Sequence, residues 1–313
     1  MSRAPALIAR SKAMRTVLNE ARRYALADAN VLLIGETGVG KDALARLMHH
    51  AGPRRKDPFL VVDCAGLPET LVEAELFGHE RGAFTDATAA RAGRFEAAGR
   101  GTVYLDAVTA LSPDAQGAIL RVVEEKRVTR LGAAAATDVR ARIISSADAT
   151  IEAAVREGTF RTDLFHRLSV LPLVIAPLRE RPEDILPMAR AFLSVLARDH
   201  GRAAPALAVD AEDVLMRYHW PGNGRELRHT LERVLVAGIG DRITAADLPL
   251  AVIEGDQAYL AATGKKRPTL EEVERRYIEL VLRDAKGNQT KAAAVLGISR
   301  KALWEKRKRY GIS

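Results

Sequence analysis

A glycine-rich segment that ends in a lysine, Gly35-Glu-Thr-Gly-Val-Gly-Lys41, lies between an apolar run and an amphipathic pattern. Glycines allow backbone N–H groups to converge on phosphate oxygens, and a lysine at this spacing reaches the β- and γ-phosphates of a nucleotide. The run Val31–Ile34 predicts the strand that such a loop follows, and Leu44 and Met48 share one face of the helix that it opens. An unliganded glycine-rich turn is the alternative. The strand, the spacing and the lysine together favour a nucleotide-binding loop made of Gly35, Glu36, Thr37, Gly38, Val39, Gly40 and Lys41.

Carboxylates stand where a magnesium ion would be bound beside this loop. Asp42 replaces the Ser or Thr that usually follows the lysine, so the hydroxyl ligand to Mg²⁺ is missing. Asp106 ends the apolar run that starts at Gly101, and at the carboxyl end of a parallel strand it would hold Mg²⁺ through water. Many ATPases have a glutamate after this aspartate to activate the attacking water, and this chain has Ala107.

The pattern of the chain indicates the elements that position these residues. Up to about Ile175, short apolar runs alternate with helical patterns, which predicts a parallel sheet flanked by helices, an α/β fold. After Pro182 only helical patterns continue, to about Val252. Residues rich in Gly, Pro and basic side chains then predict a linker before a Thr269-Leu-Glu-Glu272 capping box. We therefore divide the chain into a nucleotide-binding part at 1–181, a helical part at 182–252, a linker at 253–268 and a final helical domain at 269–313.

Charge and composition narrow the classes of protein. The chain has 313 residues and a net charge of +8, and from Lys265 onward 14 basic residues face six acidic ones, so the whole excess lies there. A single cysteine, Cys64, excludes an internal disulfide and a cysteine-rich zinc module. The first ten residues do not form a signal peptide, and no apolar run reaches the roughly 18 residues of a membrane helix. We expect a cytoplasmic protein that does not contact membranes.

The basic end of the chain predicts a helix-turn-helix. Gln289–Leu296 and Arg300–Tyr310 read as helices around a turn at Gly297, with Ser299 as cap of the second helix. Ile298 and Leu303 would fill the core between them. A basic hairpin that binds no DNA is the alternative. The pattern favours phosphate and base contacts with double-stranded DNA by Thr290, Lys291, Ser299, Arg300, Lys301, Lys306 and Lys308.

Three further motifs give the chain a family resemblance from about Leu7 to Ile312. They are Gly82-Ala-Phe-Thr-Asp-Ala87, Phe160-Arg-Thr-Asp-Leu-Phe-His-Arg-Leu168 and Trp220-Pro-Gly-Asn-Gly-Arg-Glu-Leu227. Together with the phosphate loop they resemble the sigma-54-dependent transcriptional activators, or bacterial enhancer-binding proteins. The resemblance implies an AAA+ core with a P-loop parallel sheet and a helical lid, a ring that is usually a hexamer, and a Fis-type helix-turn-helix that binds upstream of promoters.

The resemblance also implies roles for particular residues. The loop Gly82, Ala83, Phe84, Thr85, Asp86 and Ala87 would contact the sigma-54 RNA polymerase holoenzyme, whereas an aromatic residue in such a segment more often packs under a loop. Arg161 and Arg167 would reach the γ-phosphate of a neighbouring subunit, whereas their spacing alone suggests surface ion pairs. Arg225 would sense the bound nucleotide. Since the AAA+ part begins almost at Met1, the resemblance implies that no N-terminal sensing domain precedes it.

Four residues depart from the family pattern near the expected chemistry. Ala107 stands in place of the water-activating glutamate, and Asp63 in place of the asparagine that pairs with it. Asp148 replaces the sensor asparagine, and Asp86 replaces the second glycine of the Gly82–Ala87 loop. Loss of a general base lowers a rate by roughly 10²–10⁴. Asp63 as a replacement base is one hypothesis. The alternative to a sigma-54 activator is a DNA-binding regulator that binds ATP without hydrolysing it and acts without remodelling sigma-54.

Overall fold

The computed structural model describes residues 7–66, 69–84, 87–238, 240–253, 278, 281–282 and 288–310. They belong to two compact units, Met1–Gly255 and Asp256–Ser313. The first unit begins with an α/β part that contains α1 (Lys12–Ala25), β1 (Val31–Ile34), α2 (Lys41–Ala51), β2 (Phe59–Asp63), α3 (Glu69–Phe77), β3 (Gly78–His79), β4 (Arg91–Ala92), α4 (Arg94–Ala97), β5 (Thr102–Asp106), α5 (Pro113–Glu125), β6 (Arg127–Thr129), β7 (Ala136–Asp138), β8 (Arg142–Ala147), α6 (Ile151–Arg156), α7 (Thr162–Leu168) and β9 (Leu171–Val174).

Five parallel strands form the central sheet in the order β2-β5-β8-β1-β9. All four residues of β1 and all six of β8 are buried, because helices cover both faces of the sheet. One face carries the apolar side chains of α1 and α2, including Leu18, Leu44 and Met48. The other face packs against residues of α3, α5 and α7. The α/β sheet predicted from alternating apolar runs is thus confirmed.

The carboxyl ends of neighbouring strands lie side by side at one edge of this sheet. Asp63 at the end of β2 is in register with Asp106 at the end of β5. The glycine-rich segment follows β1, and Asp148 follows β8, the strand that pairs with β1. Parallel pairing therefore brings the sequence motifs to a common edge, where ligands bind in open α/β sheets.

A lid completes the first unit, with α8 (Pro182–Asp199), β10 (Ala206–Leu207), α9 (Val209–Arg217), α10 (Asn223–Val236), β11 (Arg242–Ile243) and α11 (Leu250–Ile253). Its core is built around Trp220, which is fully buried and donates its indole N–H to the carbonyl of Leu215 at 2.9 Å. The helical lid predicted after Pro182 is confirmed. The parallel pair β10–β11 is an addition, since strands of two residues are too short to show a period of two.

The second unit has α12 (Gln289–Val295) and α13 (Arg300–Tyr310) joined at Gly297, whose φ of +66° suits glycine. Ala292, Ala293 and Leu303 are buried together with three helical residues further upstream, Ile278, Val281 and Leu282. The linker after residue 253 and the capping box at 269–272 lie outside the described residues.

Candidate functional site

The glycine-rich segment forms a turn that leaves the first N–H groups of α2 pointing out of the helix. Gly38 and Gly40 have φ of +81° and +111°, a region that favours glycine, and Gly40 is the N-cap of α2. A Cβ atom at Gly38 would lie 2.2 Å from the carbonyl oxygen of Gly222 in the lid. The backbone amides and the helix N-terminus together form a cradle for an anion.

Lys41 extends across this cradle and is almost buried. Its Nζ lies 2.5 Å from the carbonyl oxygen of Gly35 and 3.1 Å from that of Glu36. It also lies 3.5 Å from Oδ1 of Asp148. The ammonium is therefore held where a phosphate-binding lysine is needed, beside a carboxylate at the end of the neighbouring strand.

Asp106 is fixed by two hydroxyl groups at the carboxyl edge of the sheet. Tyr104 and Ser146 both donate to its Oδ1, and the amide of Ala107 donates to Ser146 at 2.9 Å. Burial raises the pKa of Tyr104, with a further contribution from the nearby Asp106 charge, so this phenol remains a donor. Asp63 accepts from the amides of Ala65 and Gly66, each at 3.0 Å.

An open cavity of about 650 Å³ brings most of the predicted nucleotide-binding residues together. Its lining includes Thr37, Gly38, Val39, Gly40, Lys41, Asp42, Asp63, Asp106, Ala107, Asp148 and Arg225. Gly35 and Glu36 support the loop from behind through the contacts of their carbonyl groups with Lys41. The glycine cradle, the lysine and the carboxylates fit a nucleoside triphosphate with a divalent cation. Within the described ranges, no three His, Cys, Asp or Glu side chains form a metal site, so Asp106 would act together with phosphate oxygens.

A set of contacts between the loop and the lid was not predicted from the sequence. The buried side chain of Asn223 accepts from the amide of Leu178 at 2.7 Å and donates to the carbonyl of Thr37 at 3.0 Å and to Glu36 at 3.1 Å. Gly224 donates its amide to the carbonyl of Gly38 at 3.1 Å. The motif Trp220–Leu227 contains these residues, and its Gly-Asn-Gly centre was the signal for an unusual backbone, since Asn223 has a φ of +51°.

Two arginines that directly precede α8, the first helix of the lid, reinforce this attachment of the loop to the lid. Arg179 donates to both carboxylate oxygens of Glu36, at 2.8 and 2.6 Å, and its hydrogen bonds hold the pKa of Glu36 below the ordinary value. The buried Arg181 donates to the carbonyl of Val39 at 2.9 Å. We call the contacts of Arg179, Arg181, Asn223 and Gly224 with Glu36–Val39 the lid clamp. It joins the lid to the loop through hydrogen bonds.

The segment before α1 is attached to the lid at the same cavity. Asp184 is fully buried and accepts from the amides of Arg10 and Ser11 and from the Ser11 hydroxyl. Leu7 and Ile8, just before these residues, line the cavity. The segment therefore forms an apolar wall that suits the base of a nucleotide.

Arg161 is the N-cap of the short helix α7, Arg167 lies in its last turn, and both side chains are exposed. Arg161 pairs with Asp163 at 2.7 Å, and Arg167 pairs with Glu124 at 2.9 Å. Their side chains are 49% and 61% exposed, and neither lines the cavity of its own chain. They are accessible to another molecule, and the ion pairs expected from their spacing are also present.

The described residues of the Gly82–Ala87 loop have defined backbone and ring contacts. The described part has Gly82 at a φ of +82°, and its amide donates to the carbonyl of Ala87 at 2.8 Å. Phe84 is 36% exposed and packs edge-on against His79, with ring centroids 4.9 Å apart. It is thus both packed and accessible. The predicted contact residues Thr85 and Asp86 lie outside the described residues.

Arg130, which follows β6 in the hairpin β6–β7, contacts Glu80 just before the Gly82–Ala87 loop. It donates to both oxygens of Glu96, at 2.9 and 2.6 Å, and to Glu80 at 3.0 Å. The amide of Glu80 also donates to the carbonyl of Leu131 at 2.9 Å. These hydrogen bonds fix the position of Glu80, the residue at which the chain leads into the Gly82–Ala87 loop.

In the second unit the predicted DNA-contacting side chains lie at the surface of the two helices. Ser299 caps α13 by accepting from the amide of Ala302 at 3.1 Å, as predicted. Thr290, Lys291, Ser299, Arg300, Lys301 and Lys308 are exposed, and Lys306 is half-buried. Trp304, 56% exposed, lies under the ammonium of Lys308 at 5.5 Å. The surface of α13 therefore combines several cations with one exposed aromatic ring.

Comparisons with known families cover nearly the whole chain. Residues 7–174 match the family described as "Sigma-54 interaction domain". Residues 179–264 match "AAA+ ATPase lid domain", and residues 269–310 match "Bacterial regulatory protein, Fis family". Among the helices that the structure describes, none is long and apolar enough to cross a membrane.

Individual relatives agree with these matches. Regulatory protein AtoC of Escherichia coli (strain K12) is 40% identical over 312 residues, which cover 98% of this chain and 68% of AtoC. Nitrogen fixation protein AnfA of Azotobacter vinelandii is 37% identical, over 98% of this chain and 58% of AnfA. A crystal structure of NtrX from Brucella abortus in complex with ATP is similar with a TM-score of 0.76 and 33% identity, over 98% of this chain and 70% of that chain. The chain thus spans about 58–70% of the length of these relatives.

Proposed function

The chain belongs to the sigma-54-interacting transcriptional regulators, and on that premise we propose that it binds ATP, assembles as a ring and acts on the sigma-54 RNA polymerase holoenzyme from upstream DNA. The observation that carries the proposal is the cavity in which the glycine cradle, Lys41 and Asp106 converge. Residues 1–181 would bind the nucleotide, 182–252 would act as its lid, and 253–268 would link them to the DNA-binding residues 269–313. Since the proposed partners are DNA and RNA polymerase, we expect the protein to act in the cytoplasm.

ATP would be held by the chain's own backbone and a small number of side chains. The amides of Gly35–Lys41 would bind phosphate oxygens, and Lys41 would bridge the β- and γ-phosphates. Asp106 would hold Mg²⁺, which neutralises charge between the phosphates when it is bound. Arg225, exposed beside Gly38, would contact the nucleotide from the lid.

Two arginines support assembly as a ring, which we expect to be a hexamer. Arg161 and Arg167 are exposed and outside their own cavity, so each would serve the nucleotide of a neighbouring copy. There they would stabilise charge on the γ-phosphate, as arginine fingers do. Their ion pairs with Asp163 and Glu124 are at the surface and therefore cost little to exchange.

The Gly82–Ala87 loop would contact the sigma factor. The exposed face of Phe84 and the hydrogen bond between Arg130 and Glu80 support this role, because an apolar contact residue works best on a rigid base. The exposed cations of α12 and α13 support binding of double-stranded DNA through phosphates and base edges.

A second candidate function rests on Ala107. The residue beside Asp106 has no carboxylate, so the water-activating group has to come from Asp63 or is missing. In the second case the chain would bind ATP, assemble and bind DNA as a regulator that acts without remodelling sigma-54.

One set of measurements with the purified full chain separates the two functions. We expect MgATP binding, which Lys41→Ala lowers by at least tenfold because the loop loses its cation. The exposed Lys12→Ala serves as a control outside the cavity. Phosphate release and open-complex formation with sigma-54 holoenzyme are measured next. If both occur, they support the sigma-54 activator. If ATP binds and neither occurs, the result supports the regulator that does not remodel sigma-54. Absence of nucleotide binding would refute both.

A further inference from the structure

Lys41 contacts a carboxylate in addition to two backbone carbonyl groups. An ammonium group has three N–H donors and no acceptor. Two carbonyl oxygens, of Gly35 and Glu36, take up two of the donors, and Asp148 lies at 3.5 Å from the same nitrogen. The lysine that should meet phosphate is thus paired with a carboxylate of its own chain.

The position of Asp148 follows from the sheet. The residue comes directly after β8, which pairs with β1, and β1 leads into the phosphate loop. Its side chain is 48% exposed and lines the nucleotide cavity, whereas that of Lys41 is 11% exposed. Asp148 therefore stands inside the cavity at its phosphate end, and not on a remote surface.

A carboxylate at this point affects the phosphates of a nucleotide unequally. A γ-phosphate brings additional negative charge to the region of Lys41, where it has to displace Asp148 from the ammonium and is repelled by it. The β-phosphate of a diphosphate is also bound by the loop amides and depends less on the lysine. Since the site is partly exposed, solvent reduces the effect to a moderate one.

We propose that Asp148 is a specificity-determining residue that shifts the site towards nucleoside diphosphates and away from nucleoside triphosphates. The inference rests on the proposed nucleotide binding and adds the preference between two forms of the ligand. An ATP-bound state of the chain then requires a high ratio of ATP to ADP, or a neighbouring subunit whose arginines offset the carboxylate.

The test compares two probes on the purified full chain, ADP and the slowly hydrolysed analogue AMP-PNP, each with Mg²⁺, by titration calorimetry. We expect the unchanged chain to bind ADP more tightly than AMP-PNP. Asp148→Asn keeps the size of the side chain and removes its charge, and should tighten AMP-PNP by about tenfold while changing ADP by less than about threefold. A merely structural role would change both affinities together.

Asp138→Asn is the matched control, because Asp138 is an exposed partner of Arg127 at 3.6 Å and does not line the cavity. Asp148→Ala serves as a second charge-removing variant, and thermal unfolding checks that all variants fold. An AMP-PNP to ADP affinity ratio within twofold of the unchanged chain in both Asp148 variants would overturn this inference alone. Failure of the unchanged chain to bind either nucleotide would overturn the proposed function and this inference with it.

Discussion

Ala107 shows how a single residue can limit a site whose surroundings are intact. Its backbone is left-handed, with a φ of +57°, and its amide donates to Ser146, which in turn donates to Asp106. The backbone at the missing carboxylate is therefore held by the same network that positions Asp106. A longer side chain at this position would start from a fixed Cα beside the phosphate end of the cavity.

Restoring the carboxylate should therefore restore a base. We expect Ala107→Glu to raise the rate of phosphate release by about 10²-fold, since general bases contribute 10²–10⁴. Ala107→Gln has the same size and no base, and is the control. Equal rates of the two variants would show that chemistry does not limit turnover.

Asp63 is tested in the same series of rate measurements. Asn at this position keeps the oxygen that accepts from the amides of Ala65 and Gly66, so the local turn is preserved. If Asp63 is the replacement base, Asp63→Asn lowers the residual rate by at least tenfold. An unchanged rate would eliminate Asp63 from that role.

At the scale of elements, the lid clamp is the feature that joins lid and loop. Asn223 is fully buried at the start of α10, and it satisfies the amide of Leu178 and the carbonyl of Thr37 while adopting a positive φ. A buried amide or carbonyl without a partner costs about 1–3 kcal/mol. The clamp thus depends on both a side chain and a backbone conformation.

Two variants of Asn223 separate these contributions. Asn223→Ala should destabilise the chain by about 2–4 kcal/mol, because it removes the hydrogen bonds and places alanine at a positive φ. Asn223→Gly loses the same hydrogen bonds and tolerates that φ, so we expect it to be about 1 kcal/mol less destabilised. Chemical denaturation measures both, and equal losses would show that the backbone carries no strain.

Elements differed in how well the sequence predicted them, for a physical reason. The strands of the sheet and the phosphate loop have local signals: buried parallel strands are continuous apolar runs, and the loop needs glycines at set spacing. The lid clamp joins residues more than 140 positions apart, such as Arg179 and Glu36, and no local period records such a pair. The two-residue strands β3, β4, β10 and β11 are likewise defined by their partners.

For the cavity, the sequence predicted the residues of the phosphate loop and the carboxylates near it, but not the ion pair between Lys41 and Asp148. Asp148 departs from the family pattern, and its contact with Lys41 depends on the pairing of β8 with β1. Strand order is a long-range property, so the contact could not be predicted from spacing.

The net charge of the chain and its nucleotide cavity belong to different units. Residues 265–313 carry the entire net charge of +8, and the remainder is neutral. Since affinity for DNA comes largely from neutralised phosphates, this division predicts that binding to DNA depends on the second unit and on salt. The exposed surface of α13 is the part of that unit with the highest density of described cations.

The DNA-binding prediction can therefore be tested without changing the fold of the first unit. In the full chain, replacing Arg300 and Lys301 by Ala should abolish the specific footprint and lower the slope of log affinity against log salt by about two, one for each lost phosphate contact. The control replaces Lys12 and Arg15, two exposed cations of α1, by Ala and changes the net charge equally. If both double variants weakened binding alike, attraction by total charge would explain the affinity. A loss confined to Arg300 and Lys301 assigns DNA recognition to the start of α13, where side chains at the N-terminus of a second helix meet base edges in other helix-turn-helix proteins.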